Sequence, residues 1–358
     1  MDNQKHNFTN MKRLAFLMVT FLLGIYQMSA ESSSSNGTIT LSHQGKETTF
    51  AYNKISDAVD AAEDGDTIFF SKGKFEGDFR LTKKIAFIGS GGDEQNGAGV
   101  YTRYSNSKII IAIPDNTKLT ARLFEGIHFY NNHFYYQTDG IENLVFKKCC
   151  INGNDFSEEA SIKSMLFDRC FILNNFNYTP QKAIARNCKF RYLTISSNCT
   201  WQFINCTIDP SNWTNSNYTG NFCSILGGTF VNCIINNDND DYTGFPLYDI
   251  TNEDAKSKAS FTNCLFYKPT EGKEIFNGAT VENAMYYEAS ANNVLENFTK
   301  EQLEANSFYG NDGTVVGCYG GKNPYTLTIN KPVISSSKVH FAKDTKQVQI
   351  KMKVSTEE

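Results

Sequence analysis

The phrase FINCTI, Phe203 to Ile208, returns as FVNCII at Phe230 to Ile235 and as FTNCLF at Phe261 to Phe266. With Phe at the first position and Cys at the fourth, further copies join them: FEGIHF from Phe124, FKKCCI from Phe146, FDRCFI from Phe167, ARNCKF from Ala185 and VENAMY from Val281. The fourth position is therefore Ile127, Cys149, Cys170, Cys188, Cys206, Cys233, Cys264 and Ala284, at steps of 18 to 31 residues. A chain that keeps one short phrase while its spacing drifts is keeping one local shape and letting insertions bulge elsewhere.

Positions one, four and six are apolar in nearly every copy. That fits neither the alternation of a strand nor the i, i+3, i+4, i+7 stripe of a helix. A bend after position one, followed by a short strand, puts positions four and six on one face. The third position is the hinge: Asn187, Asn205, Asn232, Asn263 and Asn283. Asparagine tolerates a left-handed backbone and hydrogen-bonds to its own neighbours. Short strands on a base step of about 18–22 residues point to a solenoid of stacked coils. Coils stack about 4.8 Å apart, so eight copies would span about 34 Å. Leucine-rich repeats share the period, but their LxxLxL pattern is absent.

Six of the ten cysteines thus form one internal file, expected to pack as small buried hydrophobes. Disulfides between neighbouring coils are the alternative reading. Cys150, Cys199, Cys223 and Cys318 lie off the register, with Cys199 and Cys223 the first pair to inspect for a bridge. No CxxC occurs, so a zinc cluster is not expected.

At the amino end, Lys12 and Arg13 precede LAFLMVTFLLGIY and a small-residue exit at Met28-Ser29-Ala30. This reads as a signal peptide over 1–30, with the product exported to the periplasm, the outer surface or the medium and no transmembrane span after cleavage. Residues 31–45, opening ESSSSNG, read as a flexible lead, 46–330 as the repeat body and 331–358 as a carboxy-terminal strand segment or cap. NKISDAVDAAEDGDTIFF, Asn53 to Phe70, places Ile55, Ala58, Val59 and Ala62 at helical spacing before Gly65: a short helix plugging the amino end of the core. KKIAFIG from Lys83 and KIIIAI from Lys108 read as strands of the first coils. Net charge −4 without a basic tract argues against nucleic acid as a partner.

The run ISDAVDAAEDGDTIFFSKGKFEGDFRLTKKIAFIG and the closing VVGCYGGKNPYTL resemble exported, pectin-lyase-like proteins of Bacteroidetes type. The resemblance covers about residues 45 to 330 and implies an all-β fold, a right-handed parallel β-helix, here with its short amino-terminal capping helix. It implies that the asparagine corner joins two sheets and that long loops frame a sugar-binding groove. It carries over no catalytic residue. The NTD, DD, HG and RIK set, the RxPxxR segment and GxxQ are absent, and one fold hosts many activities.

Two insertions follow consecutive copies: 209–222 and 236–258. The first carries Trp213 and Tyr218; the second carries Tyr242, Phe245 and Tyr248 with Asp238, Asp240, Asp241 and Asp249. Aromatic rings offer flat faces to sugars, and Asp238, Asp240 and Asp241 are candidate oxygen ligands for Ca²⁺, the one cofactor the sequence points to. The plainer reading anchors the aromatics on the body and leaves the aspartates in water. For chemistry, a lyase would draw its base from Arg169, Arg186, Arg191 or Lys256. A hydrolase would need carboxylates about 5–9.5 Å apart, for which Asp240 and Asp249 are the candidates. Asp168 and Arg186 share a repeat position on adjacent coils and read as an outward ion pair. His128 and His133 read as surface or structural. The sequon at Asn205 reads as unused, since a corner beside an inward cysteine has no room for a glycan. The expected function is non-catalytic binding of a polysaccharide or cell-surface component. A divergent polysaccharide lyase or glycoside hydrolase, and a structural or adhesive surface protein, are the alternatives.

Overall fold

The computed structural model describes residues 36–92, 102–112, 124–137, 141–152, 155–157, 162–173, 182–191, 193–195, 198, 200–209, 223–236, 257–267, 278–287, 298–327, 333–342 and 347–355. The expected signal peptide lies outside them. The chain is predominantly β-sheet with little helix. Among the described residues the strands form one sheet of 12, one of 10, one of 4 and two of 2. After an antiparallel opening, the chain visits the 12-stranded sheet, then the 10-stranded one, and repeats the circuit. Each strand pairs in parallel with its counterpart one circuit earlier, as in Leu144–Lys147 beside Ser164–Asp168.

The third position explains the corner. Gly126, Lys148, Arg169, Asn187, Asn205, Asn232, Asn263 and Asn283 all have φ between 51° and 68°. The left-handed bend therefore extends beyond the asparagines to Lys148 and Arg169, where sequence alone gives no sign of it. A second corner uses Asn106 and Asn131, both at φ 51°.

Inside the 12-stranded sheet the first-position residues form one row. Phe124, Phe146 and Phe167 stack at 5.2 and 5.5 Å, and Phe203, Phe230 and Phe261 at 4.4 and 4.8 Å. Ala185 would leave a gap between the two runs. The Trp201 ring occupies it, 5.9 Å from Phe167 and 5.7 Å from Phe203. The fourth-position thiols are buried and free, and each faces the carbonyl of the first-position residue one circuit back. Cys170 Sγ lies 3.3 Å from Phe146 O, Cys206 Sγ 3.4 Å from Ala185 O and Cys233 Sγ 3.4 Å from Phe203 O. Cysteine supplies a small apolar volume with one weak donor, which alanine or valine cannot.

The helix Ile55–Ala61 buries Ile55, Ala58 and Val59 in this core. It has no basic residue in its last turn. Instead Lys83 Nζ reaches the carbonyls of Val59, Asp60 and Ala62 at 3.2, 2.9 and 2.7 Å, satisfying the orphan acceptors of a helix end. Regular structure starts earlier than the lead of 31–45 suggests. Strand Thr38–His43 pairs with both Lys46–Ala51 and Thr67–Phe70 because Ile39 and Leu41 alternate into the core. At the other end, Val333–Ala342 and Gln347–Ser355 form an antiparallel pair.

Residues 298–327 do not extend the circuits. The helix Lys300–Ala305, closed by a capping box at Thr299 and Gln302, is followed by a segment that turns back across the outer face of the 10-stranded sheet.

Phe230 is fully buried between two stacked rings, so Phe230→Ala leaves a cavity that a rigid stack closes poorly. Urea unfolding should show a loss of about 3–5 kcal/mol, whereas Val281→Ala, at the half-exposed end of the row, should cost far less.

Candidate functional site

Strands Thr207–Ile208 and Ile234–Asn236 are parallel neighbours, Thr207 opposite Ile234 and Ile208 opposite Ile235. The two long insertions leave from these strands, at Asp209 and Asn236. Asn236 Nδ2 donates to Asp209 Oδ1 at 2.6 Å, and Asp209 N donates to Phe190 O at 2.8 Å. The return points are also adjacent. The first insertion rejoins the body at strand Cys223–Ile225. The second rejoins it at Ser257, whose hydroxyl donates to Ile225 O at 3.1 Å, and Lys258, whose N–H donates to Leu226 O at 2.8 Å. Both departures and both returns are thus fixed one strand spacing apart. Asp209 and Asn236 lie inside the insertion boundaries read from sequence, yet no motif marks them as the tie between the two roots. The signal available was position, one residue beyond the sixth place of consecutive copies.

The side chains expected to do the binding, Trp213, Tyr218, Tyr242, Phe245 and Tyr248, lie outside the described residues. So do Asp238, Asp240, Asp241, Asp249 and Lys256, and Cys199 of the suggested bridge. Among the described residues no group of three or more His, Cys, Asp or Glu side chains is placed to hold a metal ion, and no helix is long and apolar enough to cross a membrane.

Arg186 is described. It stands exposed at the end of strand Lys182–Arg186, on an outward row running Glu125, Lys147, Asp168, Arg186. The signs alternate, but the pairing differs from the expected Asp168–Arg186 bridge. Arg169 takes the Asp168 carboxylate at 2.8 Å, because the left-handed bend at Arg169 turns its side chain back beside its own neighbour. Lys147 and Glu125 pair at 3.0 Å. Arg191 lies on the other sheet, its guanidinium 5.7 Å from the Phe171 ring centre. His128 is buried in strand His128–Tyr130, and His133 is exposed in strand His133–Tyr136. Asp168, Arg169 and Arg186 are thus neighbours at one outward row, while Arg191, His128 and His133 lie away from it.

No family model, curated protein or solved structure matches the chain.

The six file thiols divide. At Cys233 burial is outweighed by hydrogen bonds with Cys206, Cys264 and the backbone, which hold it below the ordinary thiol range, whereas the other five go up. Burial pushes Cys149, Cys170, Cys188, Cys206 and Cys264 well above the ordinary thiol range, the opposite of what a nucleophilic cysteine needs. The sequon at Asn205 is likewise spent: its amide is buried and donates to Asp312 Oδ2 at 3.3 Å.

The outward row gives a graded expectation. Lys147→Ala takes the ammonium from the buried Glu125 carboxylate and should cost about 1.5–3 kcal/mol in a denaturant titration. Arg186→Ala should stay within about 0.5 kcal/mol of wild type.

Proposed function

We propose that the chain is an exported right-handed parallel β-helix of the pectin-lyase-like kind. Its insertions 209–222 and 236–258 bind a polysaccharide or another cell-surface component without transforming it. The observation that carries this reading is the coupling of the two loop roots: consecutive circuits open at register-matched positions, and Asn236 and Asp209 tie the exits together. The roots of the two insertions form one paired element of the frame, and loops rooted on a frame are where binding residues are commonly carried. Their sequences bring Trp213, Tyr218, Tyr242, Phe245 and Tyr248 to that element, and aromatic rings suit the apolar faces of sugars. The parallel sheets, the left-handed corners and the helix Ile55–Ala61 at the amino end support the fold assignment. The acidic run Asp238, Asp240 and Asp241 makes Ca²⁺ the ion to include in any assay.

The test uses mature protein from about Glu31 with a panel of plant, host and microbial polysaccharides, with and without Ca²⁺. Retention and soluble sugar products are read in the same wells. Retention without products, reduced at least tenfold by Trp213→Ala or Tyr242→Ala, is expected. Products that vanish when Asp240, Asp249 or Arg186 is changed would replace this reading with a lyase or glycosidase. Neither signal would leave a structural or adhesive role.

A further inference from the structure

The segment that turns back over the 10-stranded sheet is held by groups far away in sequence. Asn187 Nδ2 donates to the carbonyls of Cys318 at 3.1 Å and Gly320 at 2.6 Å. Asn232 exchanges hydrogen bonds with Asn311, Nδ2 to Oδ1 at 3.0 Å and N–H to Oδ1 at 3.2 Å, and its own carbonyl accepts from Gly317 N at 2.8 Å. Thr207 Oγ1 accepts from Cys318 N at 3.0 Å, and Lys189 Nζ donates to Tyr319 OH at 2.9 Å. Corner asparagines that set the bend thus also receive a peptide. The approach is close enough to require glycine. A Cβ on Gly317, at φ +80°, would sit 2.5 Å from Ile234, and one on Gly321, at φ +70°, 2.3 Å from Asn205.

Two features separate this contact from the body. Its apolar part, Val315, Val316, Phe298 and Leu303 against Ile234, Leu265 and Tyr267, is a small cluster of its own, distinct from the core enclosed by the sheets. The other contacts are hydrogen bonds and the Lys189 ammonium against the Tyr319 and Tyr325 rings, whereas the inward rows are filled by the circuits themselves. Removing the segment would uncover a groove without taking a side chain from the main core. A contiguous unit of this kind opens at lower free energy than the whole fold.

We propose that residues 308–327 are a clasp. The segment leaves the outer face of the 10-stranded sheet as one unit while the circuits remain closed, and uncovers Asn187, Asn205, Thr207 and Asn232. This is independent of what the two insertions bind.

Cysteine placement supplies the readout. Cys318 is buried only beneath the clasp contact, and the six file thiols only inside the circuits. The folded chain is pulsed with N-ethylmaleimide, and each cysteine's labelling is followed by peptide mapping. Cys318 should label at least tenfold faster than Cys149, Cys170, Cys188, Cys206, Cys233 and Cys264. Thr207→Val removes the acceptor for Cys318 N and keeps a β-branched strand residue. It should speed Cys318 a further fivefold to thirtyfold and leave the file unchanged. One common rate for Cys318 and the file in the wild-type chain would overturn the proposal, whether or not the variant folds. Equal acceleration of all seven in the variant would do the same.

Discussion

An L-amino acid held in the left-handed region gives up roughly 1–2 kcal/mol, and this chain accepts that conformation at the third position of successive copies from Lys148 to Asn283. Parallel pairing makes the bend obligatory. Each strand bonds to its counterpart one circuit away, so a corner that shifted by one residue would send every following side chain to the wrong face. Asparagine reduces the strain, and the fourth-position thiol follows from the same geometry. Directly after the bend a carbonyl of the preceding circuit lies within reach of Sγ.

That dependence also decides how much of the molecule is legible in its sequence. The left-handed preference of asparagine is local chemistry, so five corners and the row behind them can be read directly. Lys148 and Arg169 occupy the same bend for reasons that lie elsewhere in the fold. Lys148 is buried against its surroundings, and Arg169 swings back to Asp168. Reading Asp168 and Arg186 as a pair correctly identified cross-strand neighbours, but the partner one bond away in sequence reaches the carboxylate first. Strand Thr38–His43 was obscured by its serines and threonines, although Ile39 and Leu41 carry the period of two. The clasp was hidden for another reason: its glycines have no local meaning, because the groups they approach are about 80–130 residues distant.

The candidate site divides along the same line. Where a circuit opens is legible, since the insertion begins where the repeat phrase ends. That consecutive openings are fixed to each other depends on Asn236 meeting Asp209, a contact between two residues that are each ordinary in their own copy. Register places the two insertion roots one strand spacing apart, which no residue of either copy shows by itself.

The outward row of the 10-stranded sheet shows why the returning segment docks where it does. In register order the row reads Arg103, His128, Cys150, Phe171, Lys189, Thr207, Ile234, Leu265, Met285. It is mixed as far as Thr207, with polar Lys189 and Thr207 last, and apolar from Ile234 onward. The helix Lys300–Ala305 brings Leu303 to the apolar end, beside Leu265 and Tyr267. The chain then descends over Thr207 and Lys189, where the row offers hydrogen bonds to Cys318 and Tyr319 and the Lys189 ammonium to the Tyr319 and Tyr325 rings. There burial would lower the Lys189 ammonium on its own, but Cys318, the Tyr319 hydroxyl and Asp209 outweigh it and hold the group above its ordinary range. A uniformly apolar row would have fused the segment to the body as one core, and a uniformly polar one would not have held it. The mixed row does neither: it anchors one end by burial and holds the rest through hydrogen bonds and the Lys189 ring contacts.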